Sequence, residues 1–361
     1  MPQHGRESEL WCYVGSYAAA DRPGLYAFTF DGRTGALTPR GAWAGVTNPS
    51  YLVIAPGGSR LYTVSETTVA DDARPGAVVA WQAALSPPAL TEINRRPSGG
   101  DAPCFLAFDP AARRLIVTNY GSGSVTVLTI GDDGALGAPT GFMQHGGHGL
   151  DPGRQDGPHA HSATFTPDGR LVIVADLGAD ALVVYTYDAA AGRLRDPREV
   201  RTRPGAGPRH AAFHPDGRTL YVANELENTV TVYDYDAAAA TVRPRQTIST
   251  LPPGAPPNTV ADIHVAPDGA RVYVSNRGHD SIAVFAVDST RSLTRLATPP
   301  CGGAGPRHFT IAPGGDYLVV ANKESGDLAV LPVIPDAAGL GAPVARVPVP
   351  GAACVQFVPR P

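Results

Sequence analysis

GPRHAAFHPDGRTLYVANELENTVTVYDYD, residues 207–236, is one complete copy of the unit from which the chain is built. An apolar strand, AAFH (211–214), runs into the tight turn Pro215-Asp216-Gly217. A second strand, TLYVA (219–223), a polar corner and a third strand, TVTVYDY (229–235), complete it. Their β-branched and aromatic enrichment favours pleated sheet over helix, and Gly in the turn supplies the backbone angles that close a hairpin. Working outward, equivalent first strands stand at YLVIA (51–55), FLAFD (105–109), ATFT (163–166), IHVA (263–266), FTIA (309–312) and VQFV (355–358), seven in all. Turns of the Pro-Asp-Gly or Pro-Gly-Gly type stand at 56–58, 167–169, 267–269 and 313–315, and Pro110-Ala111-Ala112 is a degenerate version. Short strands recurring about every fifty residues mark a propeller blade, not a helical or leucine-rich solenoid.

The seventh copy has a first strand but no room for a second before residue 361. At the other end, WCYVGSY (11–17) and GLYAFTF (24–30) match second and third strands that lack a first. The expected fold is therefore all-β: a seven-bladed β-propeller with N- and C-terminal strands sharing the closing blade. It forms a single domain over 1–361, with 1–10 as a flexible N-terminus. Sharing the blade leaves no open sheet edge.

With 41 Gly and 36 Pro among 361 residues the chain is turn-rich without being low-complexity. A net charge of −4 offers no basic surface for nucleic acid. No apolar leader follows a basic start and no 18-residue apolar run occurs, so a cytoplasmic protein without membrane attachment is expected. Cys12, Cys104, Cys301 and Cys354 lie far apart with no C-x-x-C pair, which reads as reduced thiols.

Because first strands are innermost in a propeller, residues at their starts crowd into the axial mouth. The aligned copies place Ser50, Cys104, His161, Arg209, Ala261 and Arg307 there. A second recurring position, after the second strand, holds Glu66, Asn119, Asp176, Asn224, Asn276 and Asn322, types that ordinarily satisfy turn backbone groups. The residue beyond it adds Glu225, Arg277 and Lys323. His161 from the third blade, Arg209 and Glu225 from the fourth and Arg277 from the fifth thus converge, an acid/base group among anion-binding guanidinium forks. An ion-pair network tying blades together would use the same residues.

The long connection 131–158 is expected to be a loop on this face. It carries His145, His148 and Arg154-Gln155 and leads into His159 and His161. Four histidines raise a metal reading, but no carboxylate or thiolate stands at companion spacing, and neither metal nor cofactor is expected. There is no G-x-S-x-G elbow, and Ser162 lies on the opposite face of an extended strand from His161, which argues against a serine nucleophile.

The words GPHAHSATFTPDGRLVIVADLGAD (157–180), the 207–236 copy and ADIHVAPDGARVYVSNRGHDSIAVF (261–285), with YVGSY at 13–17, resemble the lactonase propeller family. That family includes bacterial propeller-type 6-phosphogluconolactonases and fungal carboxy-muconate lactonizing enzymes. The resemblance implies a cytosolic, metal-independent enzyme that opens or closes a lactone, with His161, Glu225, Arg209 and Arg277 as its catalytic group. His159, Arg154, Gln155, Arg307 and Lys323 are expected to bind substrate around them. His161 should titrate near neutrality and shuttle the proton, while Glu225 stays ionised beside the arginines. The extra GGHG within 136–152 departs from the family and bears on the pocket roof. The expected partner is a small anionic lactone, carrying phosphate or carboxylate, since guanidinium binds both. Two alternatives are a lactonizing or cyclising enzyme acting on a carboxylate-bearing intermediate and a non-catalytic binding platform.

Overall fold

A computed structural model describes residues 9–72, 75–86, 88–334 and 339–358. Of the N-terminal segment expected to be flexible, residues 1–8 lie outside the described residues. Apart from one helical turn at Val69–Asp72, every element among the described residues is a strand, and the strands form seven antiparallel sheets. The fourth blade is representative: Pro208–Phe213, Thr219–Asn224, Thr229–Asp236 and Thr241–Ser249 pair in that order from the axis outward. The innermost strands touch one another around the ring, including Ala352–Phe357 against Leu52–Ile54.

The three-strand unit read from sequence is one strand short. Fourth strands such as Arg193–Arg201, RLRDPREVR, are mostly exposed and lack an apolar run, so their composition resembles loop. For the same reason the expected loop 131–158 is partly strand. Leu136–Gln144 is the outer strand of the second blade, and the irregular stretch begins only at His145.

The closing blade is shared as expected. Ala352–Phe357 pairs with Leu10–Ser16 through Cys12↔Phe357, Tyr13↔Gln356 and Val14↔Val355, and Leu25–Phe30 and Leu37–Trp43 continue outward. Side chains of this blade are buried on both faces. Cys12, Val14, Phe28 and Phe30 pack towards Val319 and Leu328 of the sixth blade, while Tyr13, Leu25 and Ala27 pack towards Leu52, Leu61 and Val79 of the first. The core is thus a set of layers between blades, in which each fully buried large apolar side chain contributes about 1.5–3 kcal/mol. In the hairpin turns Gly217 sits at φ 68°, a left-handed angle that suits glycine. In the degenerate turn Ala112 is forced to φ 52°.

One irregularity of the inner strands positions the site. The ladder skips a residue between Pro103 and Phe105, Ala160 and Ser162, Pro208 and His210, and Pro306 and His308. The skipped residues are Cys104, His161, Arg209 and Arg307. A β-bulge leaves one residue unpaired and re-aims its side chain. In the fifth blade the slip lies between Val260 and Ile263, across Ala261 and Asp262.

Candidate active site

The bulged residues form one ring of the axial mouth. A second ring arises from the register of the middle strands, which end at Ser65↔Ala77, Asn119↔Ser124, Asp176↔Ala181, Asn224↔Thr229, Asn276↔Ser281 and Asn322↔Asp327. The next residues are Glu66, Tyr120, Leu177, Glu225, Arg277 and Lys323, with Tyr17 as their counterpart in the closing blade. Their backbone N–H groups make the same bond to the corner before the inner strand: Tyr17 to Gly351 O (2.9 Å), Glu66 to Asn48 O (3.1 Å), Tyr120 to Ala102 O (2.9 Å) and Glu225 to Gly207 O (2.7 Å). Sequence alignment set Glu66 level with Asn119, one position early, because the first blade ends its middle strand in Ser rather than Asn or Asp. In the observed register Glu66 is the counterpart of Glu225. Tyr17, the last residue of the YVGSY word, and Tyr120, neither of which was expected in the site, occupy the same level.

The two rings enclose a pocket of about 180 Å³ lined by Tyr17, Glu66, Cys104, Tyr120, Arg154, His161, Glu225, Arg277 and Arg307. Glu225 is its electrostatic centre. Arg154 Nη2 lies 2.6 Å from Oε1, and Arg209 Nε and Arg277 Nη2 lie 2.9 and 3.0 Å from Oε2. Burial alone would raise the Glu225 carboxyl, but Arg277, Arg209 and Arg154 together hold it at about 2. Burial, reinforced by Arg277 and Arg307, lowers the Arg209 guanidinium to about 10, which leaves it charged at neutral pH. Arg209 is fixed from below. Its Nη1–H groups donate to Ala261 O (2.5 Å) and to His210 Nε2 (3.1 Å), and the His210 Nδ1–H donates to Asp262 Oδ1 (2.8 Å). That carboxylate–imidazole–guanidinium chain requires a neutral His210, and burial and Arg209 push its pKa down to about 3.

His161 is buried against Tyr120, His210 and Cys104, with Cys104 Sγ 3.8 Å from its Nδ1. Burial, then Arg209, His210 and Arg307, keep its pKa well below the usual 6.5. The expectation that His161 titrates near neutrality is therefore corrected: it is neutral at pH 7 and can begin a reaction only as a base. Cys104 also lines the pocket, but burial and Glu66 raise its thiol to about 12, so it is not a thiolate nucleophile.

Glu66 stands across the pocket from Glu225. It accepts hydrogen bonds from Tyr17 Oη (2.8 Å) and from Ser50 Oγ, and Arg307 Nη2 approaches to 3.9 Å. Arg307 and Lys323 both lie over the Tyr17 ring, 5.0 and 5.1 Å from its centroid. Lys323 is at the rim, 3.3 Å from Glu324, and is not part of the lining.

Two residues expected to bind substrate have other work. Gln155 is fully buried: its Nε2–H groups donate to Leu177 O (2.8 Å) and Asp180 Oδ1 (2.7 Å), and its Oε1 accepts from the N–H groups of Leu150 and Asp151. It ties the 145–159 loop down and thereby holds Arg154 over Glu225. His159 donates from Nδ1 to Tyr120 O (2.8 Å) and stacks on the Tyr120 ring at 4.4 Å, bracing that wall from behind. His145 is held between Asp176 (2.6 Å) and Tyr185 (2.8 Å), away from the pocket.

A family profile described as "Lactonase, 7-bladed beta-propeller" matches residues 11–357. The chain is 36% identical over 348 residues to a 6-phosphogluconolactonase of Bacillus subtilis, covering 96% of this chain and 97% of the relative. It is 29% identical over 325 residues to a 6-phosphogluconolactonase of Formosa agariphila, covering 88% and 91%. Among solved structures, a periplasmic gluconolactonase of Pseudomonas aeruginosa superposes with a TM-score of 0.91 at 31% identity, covering 98% of this chain and all of that one.

Proposed function

The chain belongs to the lactonase family of seven-bladed β-propellers, and from that premise we propose that it hydrolyses a small anionic lactone of the sugar type, such as 6-phosphogluconolactone. One observation carries the anionic part: three guanidinium groups, Arg154, Arg277 and Arg307, line a pocket that holds only the two carboxylates Glu66 and Glu225, and Arg209 reaches Glu225 from behind the lining. With Asp262 set behind Arg209 through His210, one positive charge is left over at the pocket, which suits an anionic ligand. The relatives named 6-phosphogluconolactonase act on such a compound.

In this reading a water attacks the lactone carbonyl while neutral His161 takes its proton. The arginines stabilise the oxyanion of the tetrahedral intermediate. The ring C–O bond then breaks, and the imidazolium returns the proton to the leaving alkoxide, so one histidine serves both steps. Glu225 keeps three guanidinium groups aimed at one point instead of donating a proton, since it remains ionised at any physiological pH. Arg154 carries its charge on the loop that Gln155 secures.

No helix among the described residues is long and apolar enough to cross a membrane. The cytoplasm remains our proposed location, supported by four buried cysteines, all unpaired.

The test is acid release from 6-phosphogluconolactone and from unphosphorylated gluconolactone by purified protein, with spontaneous opening subtracted. We expect at least a tenfold higher kcat/KM for the phosphorylated lactone, the equivalent of one charge-assisted contact of about 1.4 kcal/mol. Preference for the neutral lactone removes the anion assignment. No acceleration of either removes the hydrolase.

A further inference from the structure

Beneath the pocket the axis carries a second polar cluster, which meets the proposed chemistry only where Asp262 holds His210 under Arg209. We propose that Asp262, His264 and His308 bind one divalent transition-metal ion of the zinc type, towards the end of the axial channel opposite the pocket. Asp262 and His264 are two apart on the inner strand Thr259–Val265 and so project from the same face. His308 follows the bulge of the adjacent inner strand, Pro306–Ile311. Asp262 Oδ2 lies 3.0 Å from His264 Nε2 and 3.6 Å from His308 Nε2. All three candidate ligand atoms fall within 4.8 Å of one another.

A four-coordinate ion with bonds of about 2.0–2.1 Å holds its ligands roughly 3.3 Å apart. The two spacings from Asp262 straddle that value, and Asp262 Oδ2 is held against the sixth-blade strand by the Phe309 N–H (3.2 Å). Two imidazoles and one carboxylate select zinc, cobalt or nickel over magnesium or calcium. The carboxylate is oriented from behind, as metal ligands usually are: its other oxygen accepts from His210 Nδ1–H at 2.8 Å and from Ile263 N–H at 2.9 Å. Access is one-sided. The His264 side chain is 32% exposed, while those of Asp262 and His308 are 4% and 3% exposed. The ion therefore enters past His264, with solvent completing its coordination there.

Level with Asp262 and His308, Tyr51, Phe105 and His210 fill the axis with ring contacts of 4.5 to 6.4 Å. The site thus sits below the reacting groups, and no step of lactone hydrolysis passes through it. Its role is to clamp the fifth blade to the sixth. Ligation moves the His308 proton to Nδ1, which gives up a long contact from Val355 N–H (3.4 Å).

The experiment is calorimetric titration of zinc into full-length protein stripped with a chelator, repeated with cobalt and its visible absorption as a direct probe of coordination. Wild-type protein should bind one ion and melt at a higher temperature with it. His264→Gln, at the partly exposed ligand and so tolerated by the fold, should weaken binding more than a hundredfold, as should Asp262→Asn if it folds. His148→Ala, at an exposed histidine elsewhere, should bind as wild type does. Absence of stoichiometric binding, or wild-type affinity in His264→Gln, overturns the proposal and leaves the cluster a hydrogen-bonded network. The readout is binding, so its failure is separate from failure of the hydrolase assignment.

Discussion

Replacing Glu225 by Gln keeps the shape of the side chain and one acceptor but removes the only negative charge shared by Arg154, Arg209 and Arg277. The Glu225 carboxyl, 3% exposed, is held at about 2 against an ordinary 4.5. At 1.36 kcal/mol per unit, that difference corresponds to about 3 kcal/mol of folding stability at pH 7. The figure agrees with the roughly 3–5 kcal/mol lost when one partner is removed from a buried ion pair. The sign is fixed by linkage. A carboxyl depressed in the folded state stabilises above its unfolded pKa, and that contribution fades as pH falls from 4.5 towards 2. Near pH 3.5 about 1.4 kcal/mol of it should already be gone. Urea unfolding followed through Trp11, Trp43 and Trp81 at pH 7, 5, 4 and 3.5 measures both quantities. The gap between wild type and Glu225→Gln should be about 3 kcal/mol at pH 7 and roughly half that at pH 3.5. A gap under about 0.5 kcal/mol at pH 7, or one that does not change with pH, would refute the claim that the guanidinium cluster is organised by this charge.

His161→Ala should lower kcat by at least about a hundredfold with the fold intact by circular dichroism, the usual contribution of a general base, and near-normal turnover would take the proton from His161. Arg209→Lys and Arg277→Lys retain charge but lose the planar fork, so inhibition by the product acid should weaken by about 1–3 kcal/mol in each; unchanged inhibition in both would count against anion binding. Ala112→Gly relieves the left-handed angle of the degenerate turn and should stabilise by about 0.5–1 kcal/mol in urea melts, a result that a neutral or lower midpoint would contradict. Removing residues 350–361 takes the innermost strand from the closing blade, and aggregated protein is expected; a monodisperse, folded product would mean that the blade does not need it.

The blade count, the shared closing blade and the convergence of His161, Arg209, Glu225 and Arg277 were all legible in the sequence. Each rests on buried apolar strands or on turn residues that recur at fixed offsets. Four things were not. Fourth strands escaped because a strand exposed on its outer edge has no need of an apolar pattern, as RLRDPREVR at 193–201 illustrates. Glu66 was misplaced by one position because Ser65 replaces the Asn or Asp that marks the end of the other middle strands, and Tyr17 and Tyr120 were passed over because the reading of that level followed charge. The protonation of His161 depends on burial and on charges from the fourth and sixth blades, which no local reading supplies. Gln155 was misjudged for the opposite reason: a polar residue beside a site motif reads as a ligand contact until its four hydrogen bonds are seen to lie within the loop and its anchor.

The ladder between Cys12 and Phe357 joins residues that leave the ribosome far apart in time. At about 5–20 residues per second, the strand Leu10–Ser16 waits roughly 20–70 s for its neighbour Ala352–Phe357. During that interval Cys12, Tyr13 and Val14, all buried in the finished ring, have no lasting cover on that side. Six blades can zip up locally as they emerge, but the ring becomes a ring only once Ala352–Phe357 has emerged. The nascent chain is therefore an open arc with two sticky ends, and its yield in a cell should depend on holdase chaperones more than its final stability suggests.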